Sequence, residues 1–496
     1  MTQTDFIVLL PVLVLAGWAL VLLLVDLFVP AGRKALTGWL ALVGPAGAVL
    51  ALTLWPNGGA LTGFGGMLAA DGFAVFLHLL FLGSAALIIL LALTYLPRAG
   101  IERGEFYVLL LLTVSGMLLM AQAADLIVVF LALELLSIPL YILAGFARPR
   151  LSSEESAMKY FLLGAFASGF FVYGVALTYG AAGSTNLNAI VTAAQTGLVQ
   201  GAAAAQALPV ARSLLVAGAA LILVGLGFKV AAVPFHMWTP DVYEGAPSVV
   251  TAFMSVGAKA GGFAALLRVF VTAFPGLAPQ WASLLAILAA LTMIVGNFAA
   301  LRQGNIKRLL AYSSIAHAGY ILMALPAAGS SFAAQSDYAV GSALFYLLAY
   351  ALTTLGAWAV VMAVERQEGD GLALTDYAGL AARRPGLALA MALFMFSLTG
   401  LPPTAGFIAK FSLFRAAIDA GYLWLAIVGV LTSLVSAYYY LRVVVLMFMR
   451  PGAAQALARP TLDLAVGVTA LATLLIGLLP GPLLDLAQRS VLTLTR

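Results

Sequence analysis

The sequence predicts an all-α, polytopic membrane protein with about fourteen transmembrane helices, and three observations support this prediction. Of its 496 residues, 64% are hydrophobic and only 9% are charged. Apolar stretches follow one another along almost the whole chain, each close to the ~20 residues that a bilayer core requires. Most charges fall in the short connections between these stretches, and no connection is long enough to form a separate soluble domain. Residues 1–496 are therefore expected to form a single transmembrane domain.

The apolar stretches place the expected membrane spans along the chain. The spans run in order at roughly 5–29, 35–55, 71–96, 105–122, 124–147, 157–181, 212–235, 248–271, 281–301, 307–326, 338–364, 386–417, 421–448 and 462–480. The first lacks both a basic segment in front of it and a small-residue cleavage site, so it is not expected to be a signal peptide. The uncharged segment 182–210 is expected to be the longest outer loop, and nothing in it suggests a ligand site.

The basic residues alternate between the two sides of the expected bundle. One side collects Arg33, Lys34, Arg98, Arg103, Arg148, Arg150, Arg302, Lys307, Arg308, Arg366, Arg383, Arg384, Arg450 and Arg459. Cytoplasmic loops are enriched in lysine and arginine, so this side is predicted to be cytoplasmic. With fourteen spans, both termini would then lie on the outer side of the membrane. The net charge of +5 therefore sets topology, and no nucleic-acid partner is expected.

The composition argues against several kinds of chemistry in this chain. It contains no cysteine, which excludes a thiolate-ligated iron–sulfur cluster. Its only histidines are His78, His236 and His317, too few for the axial ligands of a two-haem cytochrome. No phosphate-loop motif of the G-x-x-x-x-G-K-[ST] type is present. We therefore expect no cofactor-binding site and no metal site, and the energy for transport should come from an ion gradient or a partner subunit.

Two spans contain helix-breaking residues beside a lysine. Span 7 reads GLGFKVAAVPFHMW and places Pro234 shortly after Lys229, so its helix should be disturbed one residue beyond the lysine. Span 12 reads SLTGLPPTAGFIAKF, with Pro402 and Pro403 ahead of Lys410, and it is too long for one straight crossing. Irregular backbone at membrane depth is tolerated where it lines a cavity or is buried in protein. Proline and glycine are also common in ordinary membrane helices, but the adjacent lysines favour a functional break.

The spacing of the two breaks predicts an internal repeat. Spans 7 and 12 are five helices apart, and a unit with an odd number of spans must insert its second copy upside down. Paired interrupted helices in two inverted copies are typical of transporters. The expected parts of the domain are the three N-terminal helices at 1–104, a first repeat (spans 4–8) at 105–275, a second repeat (spans 9–13) at 276–449, and a C-terminal helix at 450–496.

Four charged side chains are expected inside the membrane, namely Glu134, Lys229, Lys259 and Lys410. A charge near the bilayer centre costs about 2.5–3.5 kcal/mol on insertion scales, so each of them requires a reason. Intramembrane acids usually serve a proton or ion pathway, and burial can bring a lysine into the range where it exchanges protons. The alternative is that they form structural ion pairs.

Three further residues are weaker candidates. Lys159 could take part in the pathway, extend towards the membrane surface, or pair with Glu155 one helical turn earlier. His236 and His317 could each link lysines in a relay because imidazole titrates near neutrality, although a hydrogen-bonded structural role is nearly as plausible. The acidic loop HMWTPDVYEGAPS between spans 7 and 8 could gather protons at an entrance, contact a partner or simply connect two helices.

Several segments of the chain resemble subunit N of the bacterial proton-translocating NADH:quinone oxidoreductase, respiratory complex I. These segments are LELLSIPLYILAG, ESAMKYFLLGAFASG, GLGFKVAAVPFHMWTPDVYEGAPSVV, NIKRLLAYSSIAHAGY and GLPPTAGFIAKF. They cover most of spans 4–13 in order, and the N-terminal hundred residues carry little of the resemblance. The sister subunits L and M share the arrangement. The absence of a long helix after span 14 argues against subunit L, and the amino-acid sequences of the first and third segments favour subunit N over subunit M.

The resemblance implies a role for individual residues. Glu134 is similar to the family's helix 5 glutamate, Lys159 to a helix 6 lysine, Lys229 to the helix 7 lysine, Lys259 to the central helix 8 lysine and Lys410 to the helix 12 lysine. Partner subunits would hold NADH, FMN, iron–sulfur clusters and quinone. The neighbours would be other membrane-arm subunits, including antiporter-like ones, and the lipid bilayer. The alternatives are a subunit of an Mrp-type cation/proton antiporter and a scaffold subunit that does not pump.

The resemblance and the helix breaks together imply a route for protons. They would enter from the cytoplasm near Lys229 and His236, pass through Lys259 and leave by way of Lys410. Glu134 would tune the charge of Lys229 by pairing with it and releasing it.

Overall fold

The structure, a computed structural model, describes residues 2–55, 60–196, 204–330, 332–366, 370–490 and 492. This part of the chain is almost entirely helical. The first half contains α1 Gln3–Asp26, α2 Ala35–Ala41, α3 Val43–Leu52, α4 Gly72–Arg98, α5 Glu105–Gln122, α6 Leu126–Ala144, α7 Leu151–Ala182, α8 Leu187–Thr196, α9 Ala204–Val230, α10 Trp238–Gly245 and α11 Ser248–Phe253. The second half contains α12 Lys259–Ala273, α13 Ala278–Ala300, α14 Ile306–Leu322, α15 Ala324–Ala328, α16 Ala333–Val364, α17 Leu380–Arg383, α18 Pro385–Thr399, α19 Ala405–Asp419, α20 Leu423–Met449, α21 Pro460–Leu478 and α22 Gly481–Arg489.

The predicted polytopic helical architecture is confirmed. Thirteen helical stretches among the described residues are long and apolar enough to cross a membrane. The fourteenth expected crossing is divided between α18 and α19, which are separated by the non-helical residues 400–404. Span 12 is therefore interrupted near its middle, as Pro402 and Pro403 predict.

Short polar residues fix where several of these helices begin. The side chain of Asp71 accepts a hydrogen bond from the backbone N–H of Ala74 at 2.9 Å and so caps α4. Asp125 caps α6 and Asn305 caps α14 in the same way. The first N–H groups of a helix have no partner within the helix, so an Asp or Asn in this position stabilises the start.

Burial divides the helices into a central and a peripheral set. The crossing formed by α11 and α12 is buried throughout, and α14 and α16 are buried along most of their length. In contrast, α1, α7 and α20 expose large apolar side chains along one face. Exposed leucine, valine and phenylalanine are the expected covering of a helix that faces lipid. The charged residues predicted inside the membrane lie mostly on or against the central set.

Several local predictions need correction. Span 7 was expected to reach residue 235 with a disturbed helix after Lys229, but its helix does not resume after Val230, because Ala231 adopts a left-handed conformation. The segment 182–210 is not a simple loop, since it contains α8 and the start of α9, while residues 197–203 lie outside the described residues. A small antiparallel hairpin, β1 Leu61–Gly63 with β2 Leu68–Ala70, was not predicted because its strands are only three residues long.

Candidate functional site

The backbone leaves the helical path directly after Lys229. Helix α9 ends at Val230, and Ala231 adopts the left-handed conformation with φ 61°. The N–H of Ala232 then donates to the carbonyl oxygen of Gly227 at 2.9 Å, the closing bond of a Schellman turn. Alanine in this conformation costs about 1 kcal/mol or more, so the turn is held by its surroundings. Lys229 thus lies in the last turn of α9, where the helix carbonyl groups favour a positive charge.

Hydroxyl groups surround the buried ammonium group of Lys229. Its Nζ donates to Ser137 Oγ at 2.8 Å and to Tyr160 Oη at 3.1 Å. The hydroxyl of Ser137 donates a hydrogen bond to the carbonyl oxygen of Leu133 at 2.5 Å, so its oxygen is free to accept from the lysine. The Tyr160 ring is stacked on Trp238 at 4.6 Å between centroids, which fixes the hydroxyl in place. Sequence reasoning missed Ser137 and Tyr160, although Ser137 follows Glu134 by one helical turn.

Glu134 lies close to this lysine without forming a contact ion pair. Its Oε1 accepts a hydrogen bond from Ser168 Oγ on α7 at 2.6 Å. Because Glu134 and Ser137 are three residues apart on α6, they lie on the same side of the helix. The Glu134 charge also acts on Lys229 electrostatically. Among the described residues, the two side chains do not come within salt-bridge distance in this state.

Lys259 follows a local widening of the central helix, which is the buried crossing formed by α11 and α12. The residues Met254–Ala258 form a π-helical turn between α11 and α12, and Lys259 is the first residue after it. Such turns occur frequently at functional sites. The buried Nζ of Lys259 donates to the carbonyl oxygen of Ser314 on α14 at 2.5 Å. One turn further on, a Cβ atom at Gly262 would lie 3.3 Å from Cγ of Lys229, so this glycine lets the two lysine-bearing helices pack closely.

The second break lies beside Lys410. Helix α18 ends at Thr399, and Gly400 then adopts the left-handed conformation with φ 90°. Nζ of Lys410 reaches back from α19 and donates to the carbonyl oxygen of Thr399 at 2.8 Å and to Ser433 Oγ at 2.6 Å. The same ammonium group lies 4.5 Å from the ring centroid of Tyr320, within the range of a cation–π interaction. Lys410 therefore stabilises the end of one half-helix while belonging to the other.

His317 lies between the contacts of Lys259 and Lys410 on helix α14. Lys259 contacts this helix at Ser314 and Lys410 contacts it at Tyr320, and His317 is midway between these two positions. Six residues of helix correspond to a rise of about 9 Å, so His317 is about 4.5 Å along the axis from each contact.

Both ring nitrogens of His317 have hydroxyl partners. Nδ1 is 2.7 Å from Tyr346 Oη, and Nε2 is 3.2 Å from Tyr440 Oη. Tyr440 is in turn hydrogen-bonded to Ser313. A neutral imidazole can accept a proton from one hydroxyl and donate one to the other, so this arrangement suits both a structural and a relay role.

Lys159 belongs to a surface cluster of charges and does not contact the buried lysines. Its Nζ lies 2.7 Å from a carboxylate oxygen of Glu155 and 2.8 Å from one of Asp241 in α10. Arg308, at the start of α14, is 3.0 Å from Asp241 and 2.7 Å from Glu244. The hydrogen bond from Lys159 holds the pKa of Asp241 below its usual range. The acidic segment between spans 7 and 8 is thus tied to α7 on one side and to α14 on the other.

His236 lies in the non-helical segment between α9 and α10 and is half-buried. The backbone of this segment is anchored where the N–H of Val233 donates to Thr292 Oγ1 of α13 at 2.9 Å. Within the part of the chain that the structure describes, no hydrogen bond joins the His236 side chain to Lys229. The structure therefore brings Lys229, Lys259, His317 and Lys410 into one buried region and leaves His236 at its margin.

A buried ion pair that sequence reasoning missed connects the N-terminal helices to the central helix. Both guanidinium NH₂ groups of Arg268 donate to the two carboxylate oxygens of Asp71 at 2.8 Å, and one also donates to the carbonyl oxygen of Ala121. Both side chains are fully buried. Asp71 begins span 3 and Arg268 lies near the end of span 8 on the same expected side, but this does not by itself predict that they meet.

The candidate side chains lie in a row, and all of them except the half-buried Glu134 are buried. In order through the bundle, the row consists of Glu134, Ser137, Lys229, Lys259, the α14 turn Ser314–His317–Tyr320, and Lys410. Carboxylate, amine and imidazole groups titrate, and hydroxyl groups can pass protons between them. Among the described residues, no group of three or more His, Asp or Glu side chains is placed to hold a metal ion.

Comparison with known proteins identifies relatives over nearly the whole length. Residues 123–436 match the family model described as the NADH:quinone oxidoreductase/Mrp antiporter transmembrane region. The chain is 50% identical to NADH-quinone oxidoreductase subunit N of Chloroflexus aggregans over 497 aligned positions, covering 99% of this chain and 98% of that protein.

Two solved structures show that the fold alone does not distinguish complex I subunits from Mrp subunits. A chain of respiratory complex I from Thermus thermophilus with bound aureothin is 39% identical and has a TM-score of 0.79, covering 96% of this chain and 99% of that one. A chain of the Mrp complex from Dietzia sp. DQ12-45-1b is only 22% identical but has a TM-score of 0.81, covering 99% and 97%. The fold is therefore shared by both assemblies, and sequence identity distinguishes them.

Proposed function

The chain belongs to the subunit N family of NADH:quinone oxidoreductases, and from this premise we propose that Glu134, Lys229, Lys259 and Lys410 carry protons across the membrane. The protein is an antiporter-like, multi-pass membrane subunit of that translocase. NADH oxidation and quinone reduction would take place in partner subunits, which would hold NADH, FMN, the iron–sulfur clusters and the quinone. Proton movement through this chain would be coupled to that reaction.

The position of His317 supports this proposal most directly. Lys259 and Lys410 contact α14 on either side of His317, and each ring nitrogen of His317 is hydrogen-bonded to a tyrosine hydroxyl. Purely structural lysines in a membrane would be expected to pair with carboxylates, because an unpaired charge is costly there. In the described part of the chain these two lysines instead bind backbone carbonyl oxygens and, for Lys410, a serine hydroxyl and a tyrosine ring. Neutral partners leave an amine able to lose its proton.

The proposed route begins at the cytoplasmic side near His236 and Lys229, continues to Lys259 and leaves by way of Lys410. Glu134 would switch between its present partner on α7 and the ammonium group of Lys229, which would raise and lower the proton affinity of that lysine. Lys159 would hold the acidic α10 segment beside the entrance. This direction assumes that the basic loops are cytoplasmic and that both termini are periplasmic.

The proposed inverted repeats, residues 105–275 and 276–449, are supported by matched backbone hydrogen bonds. Immediately before α6, Asp125 forms an isolated antiparallel bridge with Asn186, which follows α7. Immediately before α14, Asn305 forms the same kind of bridge with Ala373, which follows α16. Each bridge is flanked by a reciprocal pair of backbone hydrogen bonds of 2.9 to 3.0 Å. A second copy of the same folding unit accounts for this correspondence.

The partners proposed for this chain are the other membrane-arm subunits of the complex, including neighbouring antiporter-like subunits, together with the lipid bilayer. The Mrp antiporter alternative rests on shared fold, whereas the much higher identity is to subunit N. Affinity purification of the native chain distinguishes the two. Co-purification of an NADH-oxidising arm is the expected result, and recovery with cation/proton antiporter subunits alone would contradict the assignment.

Replacement of the buried lysines tests the proton pathway. Lys229→Ala and Lys259→Met should lower proton pumping and coupled quinone reduction in complexes that still assemble, since removing a buried charge eases insertion. Lys34→Met shows the effect of removing a lysine outside the pathway, because Lys34 lies between α1 and α2 and pairs with Asp26 at 2.7 Å. Reconstituted vesicles would be assayed for NADH oxidation and internal acidification. Wild-type pumping by both pathway variants would overturn the proposal.

A further inference from the structure

Glu365, the residue directly after α16, is a buried carboxylate that the pathway above does not use. Only 1% of its surface is exposed. Its Oε1 accepts a hydrogen bond from Tyr95 Oη on α4 at 3.3 Å, whereas its Oε2 has no partner among the described residues. The nearby Arg98 donates to the carbonyl oxygen of Met362, and its Nη1 has no partner in the described part of the chain. A buried acid with one unsatisfied oxygen needs an explanation other than packing.

A cavity with polar walls lies next to Glu365 on the side of the basic loops. The cavity has a volume of about 280 Å³, and both chain neighbours of Glu365, Val364 and Arg366, line it together with Asp376. Arg366 and Asp376 face each other there at 3.9 Å. A cavity of this size with polar walls has room for several water molecules. Glu365 therefore lies between two residues of the cavity wall.

A stripe of polar side chains extends from Glu365 along α16. Its members, spaced by seven residues and then by four, are Glu365, Trp358, Thr354, Tyr350 and Tyr346. Residues with this spacing lie along one side of a helix, and nineteen residues span about 28 Å. Trp358 Nε1 and Thr354 Oγ1 are buried without a partner among the described residues. The stripe ends at His317, which is hydrogen-bonded to Tyr346 and lies 5.0 Å from Tyr350 between ring centroids.

The first helix of the central crossing, α11, packs against the helix that carries this stripe and against the helix that carries Tyr95. Helix α11 packs between α4 and α16, and the N–H of Ser248 at its start donates to Tyr95 Oη at 3.1 Å. Ser248 Oγ is fully buried, and so is Ser314 Oγ beside the carbonyl that binds Lys259. Neither has a partner in the described residues. Buried polar groups without protein partners in natural proteins are usually hydrogen-bonded to ordered water. One of these hydroxyl groups thus belongs to a residue that contacts Tyr95, the partner of Glu365, and the other to the residue whose carbonyl binds Lys259.

We propose that Glu365 is a proton-uptake residue, which takes protons from the cavity and passes them along α16 to Lys259 and His317. The Glu365 carboxylate accepts a proton from cavity water and becomes a carboxylic acid. It returns to the carboxylate when that proton moves through bound water and hydroxyl groups to the neutral amine of Lys259, which becomes an ammonium ion. The cavity water recovers its proton from the bulk solution. This second entrance rests on the proposed role of Lys259 as a proton carrier.

Conservative variants of Glu365 in the assembled complex test this proposal. Glu365→Gln keeps the acceptor for Tyr95 and the side-chain volume but cannot ionise, so proton delivery into vesicles should fall several-fold. Glu365→Asp weakens the contact with Tyr95 but keeps a titratable group, so it should retain more pumping than Glu365→Gln. The opposite order would show a structural hydrogen-bonding role and would overturn the proposal. Glu154→Gln, the same change at an exposed glutamate, is the matched control.

The comparison with Lys259→Met separates this proposal from the general pathway. Loss of pumping in Lys259→Met together with normal pumping in Glu365→Gln would overturn the second entrance alone. Normal pumping in Lys259→Met would overturn the pathway itself. A cryo-EM map of the parent complex at a resolution that shows water provides an independent test. Water within hydrogen-bonding distance of Glu365 Oε2 and Trp358 Nε1 is expected, and a dry, closed stripe would overturn the proposal.

Discussion

Replacement of Lys259 by arginine separates a proton carrier from a fixed positive charge. The site is buried and follows a π-helical turn, and Nζ donates a hydrogen bond to the carbonyl oxygen of Ser314. Among the described residues, Lys259 forms no ion pair. Arginine can donate to the same carbonyl oxygen and keeps the positive charge. It therefore preserves the electrostatic role of the site and changes mainly the ease of proton release.

The size of this change follows from the ordinary pKa values of the two side chains. They are about 10.4 for lysine and at least about 12.5 for arginine. Each pKa unit corresponds to about 1.4 kcal/mol, so releasing a proton from arginine is harder by at least about 3 kcal/mol. Burial of the site acts on both side chains in the same direction. The deprotonated form should therefore be at least about 100-fold rarer in Lys259→Arg than in the parent.

Proteoliposomes that contain the whole complex provide the assay. NADH oxidation and vesicle acidification are recorded together for the parent, Lys259→Arg and Lys259→Met, with assembly checked by co-purification of the partner subunits. Both variants should pump far less than the parent. If Lys259→Arg pumped like the parent while Lys259→Met did not, a fixed positive charge would be sufficient and the relay role of Lys259 would be refuted.

Three further predictions concern other groups. In a double-mutant cycle, adding Lys229→Ala to Glu134→Gln should reduce pumping much less than Lys229→Ala does in the parent, because the effects of substitutions within one network are not additive. Fully additive losses of pumping would show that the two residues act separately. Arg268→Met breaks the buried ion pair with Asp71, which costs about 3–5 kcal/mol and should lower the amount of assembled complex. An unchanged yield and melting temperature would contradict this role. Because the pKa of Asp241 is lowered, its ion pairs contribute their full stability at every pH above about 3.9, the ordinary pKa of an aspartate. That stability is lost only as the pH falls through the lowered pKa. Asp241→Asn should therefore show the same shape of pH–activity profile as the parent from about pH 6 to 9, and a changed shape would place this carboxylate in the pathway.

The membrane architecture was largely predictable because its signals are local. Apolar stretches of crossing length identify the helices without knowledge of their neighbours. Pro402 and Pro403 predict a break in span 12, and the helix does stop at Thr399. In span 7, Pro234 predicts a disturbance one residue beyond Lys229, and α9 ends at Val230. Even there, the sequence does not show that Ala231 takes the left-handed conformation, since alanine rarely adopts it.

The partners of the charged residues could not be predicted because they come from distant parts of the chain. Lys229 contacts Ser137, which lies 92 residues earlier, and Lys410 reaches the carbonyl of Thr399 only because the helix between them is broken. The π-helical turn before Lys259 has no proline or other local signal. The surface environment of Lys159 was anticipated in part, since its pairing with Glu155 follows from their spacing, but its contact with α10 depends on the packing of α7.

The proton yield of a complex that lacks all three buried lysines tests the central claim most directly. Lys229, Lys259 and Lys410 would be replaced together by methionine, which keeps an unbranched side chain and removes the charge. Protons delivered into proteoliposomes would be measured against NADH oxidised, in parallel with the parent complex. We predict a clear fall in proton delivery by the assembled variant, with any remaining NADH oxidation moving fewer protons per NADH. Delivery at the parental rate and at the parental number of protons per NADH would contradict the proposal that this subunit carries protons through these lysines.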